Sequence, residues 1–181
     1  MGSIMQSDDE AVLVAYGSNL SPDGMSASQV FTMVVKNLHE RGLIVNKISR
    51  LWRSQAWPDA TAPAYVNAVI QVRTSLNAVD LLAVLHYIER DFGRSREGAR
   101  YAPRVVDLDL IAYGRQISGG EGGLTLPHPR AHERGFVMGP LSEIAPRWKH
   151  PLLHREAREL YAAVTVGRDA HPLGDDATAV F

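Results

Sequence analysis

The stretch Ile44-Val-Asn-Lys-Ile-Ser-Arg-Leu-Trp52, followed after a loop by Tyr65-Val-Asn-Ala-Val-Ile-Gln-Val72, decides the fold. In the first segment Ile44, Ile48 and Leu51 are apolar, and it reads as a strand over 44–52. In the second, Val66, Ala68 and Ile70 share one face and Tyr65, Asn67 and Val69 the other, the period-two pattern of a strand. Between them, Ser54 to Ala64 carries Pro58 and Pro63 and reads as a loop. Two strands thus follow one another with no helix between. A doubly wound parallel sheet requires strand and helix to alternate, so an antiparallel sheet is predicted.

Upstream, Val12-Leu-Val-Ala-Tyr16 is a continuous apolar run ending at Gly17-Ser-Asn19, a strand buried on both faces and then a turn. Ser28 is placed to cap a helix carrying Val30, Phe31, Val34, Val35 and Leu38, closed by Gly42. Downstream, Asn77 and Asp80 resemble a capping box before a helix striped with Leu81, Leu82, Leu85, Ile88 and Phe92. Gly93 ends it. A polar loop over 94–103, a strand over 105–113, a glycine-rich turn over 117–123 and a short strand over 124–126 follow. Helices are expected over 133–141 and 154–164. The order strand, helix, strand, strand, helix, strand is that of the ferredoxin-like split βαβ sandwich, an α+β fold. Its antiparallel sheet would carry helices on one face, with C-terminal additions. One domain over 11–165 is expected, flanked by loosely ordered tails at 1–10 and 166–181.

Composition narrows the function. The 181 residues are 45% apolar and 22% charged, ordinary for one globular domain. With no cysteine, thiolate chemistry and disulfides are excluded. Nineteen basic residues balance twenty acidic ones, so no bulk attraction to nucleic acid or anionic membrane is expected. Met1 to Glu10 lacks the plan of a signal peptide and no run is long enough for a membrane helix, so a cytoplasmic location is expected. Only three of the nineteen cations are lysine (Lys36, Lys47, Lys149), a bias that genome composition explains. Arginine placement is therefore more informative than arginine content.

Asp107-Leu-Asp109 is the sharpest chemical feature. On a strand, Val106, Leu108, Leu110 and Ala112 would face the core, and the two carboxylates would share the opposite face. A bare pair of this kind is most often a solvated strand face. Here Arg94, Arg96, Arg100 and Arg104 lie within fifteen residues upstream. Mutual neutralisation would need fewer arginines. Carboxylates for magnesium and guanidinium groups for phosphate instead suit a polyphosphate substrate. No Gly-x-x-x-x-Gly-Lys-Ser/Thr loop occurs, and Gly119 to Gly123 reads as a turn.

The segment Arg100-Tyr-Ala-Pro-Arg-Val-Val-Asp-Leu-Asp-Leu-Ile111 resembles the signature of the 6-hydroxymethyl-7,8-dihydropterin pyrophosphokinases, enzymes of folate biosynthesis. Further matches follow in the family's order: Tyr16-Gly-Ser-Asn-Leu20, Tyr65-Val-Asn-Ala68, Glu89 with Arg94 and Arg96, Leu126-Pro-His128, and Arg134-Gly-Phe136 with Pro140-Leu141. The resemblance runs from Leu13 to Pro146. It implies transfer of pyrophosphate from ATP to the hydroxymethyl group of a reduced pterin, releasing AMP, on a ferredoxin-like fold. By position it assigns two magnesium ions to Asp107 and Asp109, and phosphate contacts to Arg94 and Arg104. It puts Arg96 and Tyr101 on a loop closing over ATP, has His128 and Arg134 contact ATP phosphates, and turns Glu89 towards the site. Tyr65 and Phe136 would sandwich the pterin ring, Asn67 would bond its edge, and Gly17 and Asn19 would shape its pocket.

This chain departs from the family's pattern in three places. Ser54-Gln-Ala-Trp57 stands where Thr-x-Pro is usual, Tyr101 where tryptophan is common, and Ala102 where glycine is common. A related enzyme acting on a modified pterin is one alternative. A nucleotidyltransferase also pairs a Gly-Ser turn with Asp-x-Asp, but that turn lies close before the carboxylates, whereas Gly17-Ser18 is far from Asp107 in sequence. A non-catalytic binding module would have little use for both aspartates and the arginines.

Overall fold

The computed structural model describes residues 8–20, 25–56, 59, 61–93 and 105–174. Strand β1 (Val12–Ser18), helix α1 (Ala27–Glu40), strands β2 (Ile44–Ile48), β3 (Trp52–Ser54) and β4 (Tyr65–Arg73), helix α2 (Ala78–Asp91) and strand β5 (Asp107–Tyr113) follow in the expected order. A small hairpin, β6 (Ser118–Gly119) with β7 (Thr125–Leu126), leads to helices α3 (Gly135–Ile144) and α4 (Ala157–Ala162) and a last strand, β8 (His171–Pro172). The main sheet runs β5-β1-β4-β3-β8, with β2 also on β4, and each of these described pairs is antiparallel.

Helix caps explain two element starts. Ser26, not Ser28, caps α1: its Oγ accepts the Gln29 N–H at 3.2 Å, and Gln29 Oε1 accepts the Ser26 N–H at 2.7 Å. This is a full reciprocal box. Asn77 Oδ1 accepts the Asp80 N–H at 3.0 Å at the start of α2, while the shorter Asp80 side chain bonds Asn77 Nδ2 at 2.7 Å instead of reaching the backbone.

The segment expected as one strand over 44–52 is two. A bulge between Val45 and Lys47 breaks the register on β4. Beyond it the Arg50 N–H turns away to Glu143 Oε2 at 3.0 Å, and its guanidinium meets Glu143 Oε1 at 2.6 Å, so α3 takes the hydrogen bonds a straight strand would have kept.

Helices cover both faces of the sheet, not one. Val12, Val14 and Tyr16 of β1, with Ala68, Ile70 and Val72 of β4, pack against α1 and α2. Leu13, Ala15 and Val69 face the other way, into a second core with Met138, Leu141, Trp148 and Leu160. A strand that is apolar at every position must be covered twice, and α3 with α4 supplies the second cover. Leu108 and Leu110 of β5 join the first core as expected, but Ala112 joins the second. A register shift pairs Leu13 with Ala112 and Val14 with Leu110, so the strand bulges at Ile111 and the alternation changes side.

The described parts of the expected tails, residues 8–10 and 166–174, also pack. Asp9 Oδ1 accepts the Lys149 N–H at 3.0 Å. Beyond 165, β8 pairs with the edge strand β3, and the Leu173 N–H donates to Leu51 O at 2.8 Å. These hydrogen bonds satisfy an otherwise open edge, a requirement that local composition does not reveal.

Two sites test this packing. Gly139 of α3 lies against the Trp52 indole, so closely that any Cβ would collide with the ring. Trp52 is buried and meets Tyr161 edge-on at 5.8 Å, so it has little room to yield. Gly139→Ala is expected to destabilise the fold by about 1–3 kcal/mol in denaturant melts. His150 is buried beside Trp148 and His132, and its Nδ1 accepts the Leu152 and Leu153 N–H groups at 3.3 and 3.2 Å. Burial first, then His132 and His154, push its pKa down from 6.5 to about 4. The unfolded chain therefore takes up a proton near pH 6.5 that the folded chain refuses. Stability from this group is complete above pH 6.5 and is lost as pH falls towards 4, with a slope of at most about 1.4 kcal/mol per pH unit. His150→Asn should flatten the stability profile between pH 6.5 and 4.5.

Candidate active site

Strand register brings the site together. Gly17 of β1 pairs on one side with Asn67 of β4 and on the other with Asp107 of β5. One step along, Ala15 lies between Val69 and Asp109. With alternate residues sharing a face, Tyr65, Asn67, Gly17, Ala15, Asp107 and Asp109 all point to the α3 side of the sheet. The two central positions are the smallest residues in the row. Their missing side chains leave a cavity of about 390 Å³, with the amide and aromatic ring on one wall and the carboxylates on the other. A wider, shallower hollow of about 650 Å³ near Glu10, Arg73 and Arg115 shows no such convergence.

The segment after β7 supplies the third wall. The His128 N–H donates to Ile111 O at 2.9 Å, which fastens this segment to β5. The Arg130 N–H donates to His128 Nδ1 at 3.2 Å, so the neutral ring carries its proton on Nε2. That Nε2 lies 3.9 Å from Asp109 Oδ2. Burial lowers the His128 pKa, with Asp109 opposing, so the ring is a neutral donor at pH 7. Burial also lowers the Arg134 pKa, again opposed by Asp109, and an arginine so placed stays cationic. Its guanidinium carbon sits 5.7 Å from the centre of the Phe136 ring, which lines the same cavity.

Of the residues singled out from sequence, Gly17, Tyr65, Asn67, Asp107, Asp109, His128, Arg134 and Phe136 all line this cavity. Asn19 does not; its Nδ2 donates to Pro63 O at 3.5 Å and ties the end of β1 to the loop before β4. Glu89 does not either. It is 2% exposed, and its Oε1 accepts the Leu108 N–H at 2.8 Å, between the two aspartates. Through this bond Glu89 holds the strand that presents the carboxylates. Arg94, Arg96, Arg100, Tyr101, Ala102 and Arg104 lie outside the described residues.

Sequence reasoning missed several lining residues. Ser54 was notable only as a departure from the family's pattern. Here its Oγ accepts the Asn67 Nδ2–H at 3.0 Å in a buried pair. That bond leaves the amide oxygen of Asn67, itself 4% exposed, beside the bare face of Gly17. Arg130 and Val166 also line the cavity. A cation two residues after His128 was a usable signal for Arg130; Val166 offered none.

Comparison with known proteins identifies the family. Residues 13–146 match the model of the 7,8-dihydro-6-hydroxymethylpterin-pyrophosphokinase (HPPK) family. The 2-amino-4-hydroxy-6-hydroxymethyldihydropteridine pyrophosphokinase of Synechocystis sp. is 38% identical over 77% of this chain and 68% of its own length. The enzyme of that name from Bacillus subtilis is 33% identical over 72% of this chain and 75% of its own. The folic acid synthesis protein fol1 of Pneumocystis carinii is 37% identical over 80% of this chain, but the chain spans only 19% of that protein. Among solved structures, an HPPK-DHPS crystallised with substrates superposes with a TM-score of 0.67 at 12% identity, over 90% of this chain and 46% of the other. This likeness concerns the fold. Matched by the family model over most of its length, the chain belongs to the 7,8-dihydro-6-hydroxymethylpterin-pyrophosphokinase family.

Proposed function

We propose that this chain transfers the pyrophosphoryl group of ATP to the hydroxymethyl oxygen of 6-hydroxymethyl-7,8-dihydropterin, giving AMP and the pterin diphosphate, a step of folate biosynthesis. The observation that carries this reading is the single row Asn67–Gly17–Asp107, which sets a ring-binding wall beside a carboxylate wall in one cavity. The sheet order, with β2 and β3 together as the second strand, is read as a ferredoxin-like core to which α3, α4 and β8 add a second layer.

The ring would lie between Tyr65 and Phe136, with the Asn67 amide at its edge. On the other wall, Asp107 and Asp109 are half-buried carboxylates on one face. Among the described residues no group of three or more His, Cys, Asp or Glu could cage a metal. Two carboxylates suit magnesium, which keeps water and phosphate oxygens in its remaining positions. Asp107 and Asp109 would hold it, two ions by resemblance to the family, and bound magnesium would neutralise phosphate charge. His128 would donate through Nε2 to a phosphate oxygen, and Arg134 would hold a second one. Arg94, Arg96, Tyr101 and Arg104 are assigned to ATP by resemblance alone.

The acceptor oxygen attacks the β-phosphorus, and the bond from that phosphorus to the oxygen bridging it to the α-phosphorus breaks. AMP departs with the electron pair, and the hydroxyl proton leaves to solvent. No residue of the cavity needs to act as a nucleophile; positioning and charge neutralisation supply the rate. The cysteine-free composition suits a cytoplasmic setting.

One argument against the nucleotidyltransferase alternative falls away, and another takes its place. Gly17 is far from Asp107 in sequence but pairs with it across the sheet, so separation along the chain does not distinguish the two readings. The aromatic wall of Tyr65 and Phe136 favours the pterin. Incubation with ATP, magnesium and the pterin should yield AMP and pterin diphosphate in equal amounts; free pyrophosphate with a nucleotidylated acceptor would overturn the assignment. Asp107→Ala or Asp109→Ala should lower kcat by at least about 10²–10³-fold while the unfolding midpoint stays within a few degrees. Full activity in either variant would remove the metal assignment.

A further inference from the structure

The proposed ring cavity has one wall from a segment that lies beyond the family-matched residues 13–146. Val166 lines the cavity, and the chain around it is stitched to the turn carrying Arg134 and Phe136. Val166 bridges Arg134 in parallel; the Gly135 N–H donates to Val166 O at 2.7 Å, and the Thr165 and Val166 N–H groups donate to Glu133 O at 3.1 and 3.0 Å. Gly167, at φ +66°, presses its backbone on the Phe136 ring, where a Cβ would lie 2.5 Å from Cδ1 and 3.1 Å from Cε1. Two residues on, Asp169 Oδ2 accepts the Gln55 N–H, and β8 then pairs with β3. Gln55 adjoins Ser54, the partner of Asn67, and both line the cavity.

One short stretch therefore touches both sides of the ring site. It backs Phe136 through Gly167 and holds the Ser54–Gln55 edge through Asp169. We infer that residues 164–172 are a specificity-determining wall, in which Gly167 sets the depth of the Phe136 ring and Asp169 sets the position of the opposite edge. These are positioning residues. They act on the fit of a flat heteroaromatic acceptor; the segment meets Arg134 through backbone pairing at Val166, which leaves the guanidinium to the phosphate wall. The Asp169 side chain thus fixes Gln55, next to Ser54, where this chain departs from the family's pattern.

This inference rests on the pterin reading above, and the test separates the two. Binding of 6-hydroxymethyl-7,8-dihydropterin is measured by titration with magnesium and α,β-methylene-ATP present; nucleotide binding is measured alone. Gly167→Ala should weaken pterin binding at least tenfold and leave nucleotide binding within twofold. Asp169→Ala should weaken pterin binding three- to tenfold, and Asp169→Asn, whose amide oxygen still accepts the Gln55 N–H, should restore it to within twofold. If Gly167→Ala does not fold, the Asp169 pair decides. Unchanged pterin binding in the alanine variants, or an equal loss of nucleotide and pterin, would overturn the wall. Failure of the unaltered chain to bind the pterin would overturn the acceptor assignment, and the wall with it.

Discussion

The site depends on a gap in the central strand. Gly17 and Ala15 stand between β4 and β5 where larger side chains would fill the space above the sheet. Hydrogen-bonded strands lie about 4.8 Å apart, so the amide wall and the carboxylate wall are separated by roughly 10 Å, room for a bicyclic ring and its exocyclic arm. The sheet therefore acts as a ruler. In the proposed reaction its register would set which acceptor atom meets which phosphorus, with the side chains above it holding the two ends.

What surrounds the gap keeps that ruler rigid. Glu89 reaches from α2 to the Leu108 amide and fixes the strand between the two aspartates. On the other face of the sheet, α3 comes close enough to rest Gly139 on Trp52, and its first turn delivers Arg134 and Phe136 to the cavity. The second helical layer thus serves two ends. It buries the second face of β1 and β4, and it carries one side of the proposed ring site.

Much of this was legible in the sequence because it is local. The alternation in Tyr65–Val72, the apolar run of β1 and the Asp107-Leu-Asp109 pattern each declare a strand and a face. Eight residues chosen from motifs converge in one cavity because strand pairing gathers them. What was not legible depends on partners distant in the chain. The apolar run of β1 demanded cover on both faces, yet only the structure shows that α3 and α4 provide it. Ala112 changed side because of a bulge that no alternation rule foresees. Glu89 was placed by its position in the family's pattern alone, and its use as a backbone acceptor required knowing that Leu108 lies beside it. Residues 166–174 have no periodicity, and their order comes from hydrogen bonds to β3 and to the turn before α3.

An unfilled position on β1, Gly17, makes the floor between the amide wall and the carboxylate wall, where the proposed ligands would meet. A Cβ at Gly17 would meet Asn67 Oδ1 at 3.6 Å and Tyr65 Cδ1 at 3.9 Å, ordinary contact distances, so the first carbon of a side chain fits there, and the thermal midpoint of Gly17→Val tests whether its γ-methyls do too. The most direct measurement is pterin titration into Gly17→Val, with its thermal midpoint as control. The variant is expected to fold and its pterin affinity to fall by roughly tenfold or more, equivalent to about 1.4 kcal/mol for each factor of ten. A folded Gly17→Val that binds the pterin as tightly as the unaltered chain would contradict it.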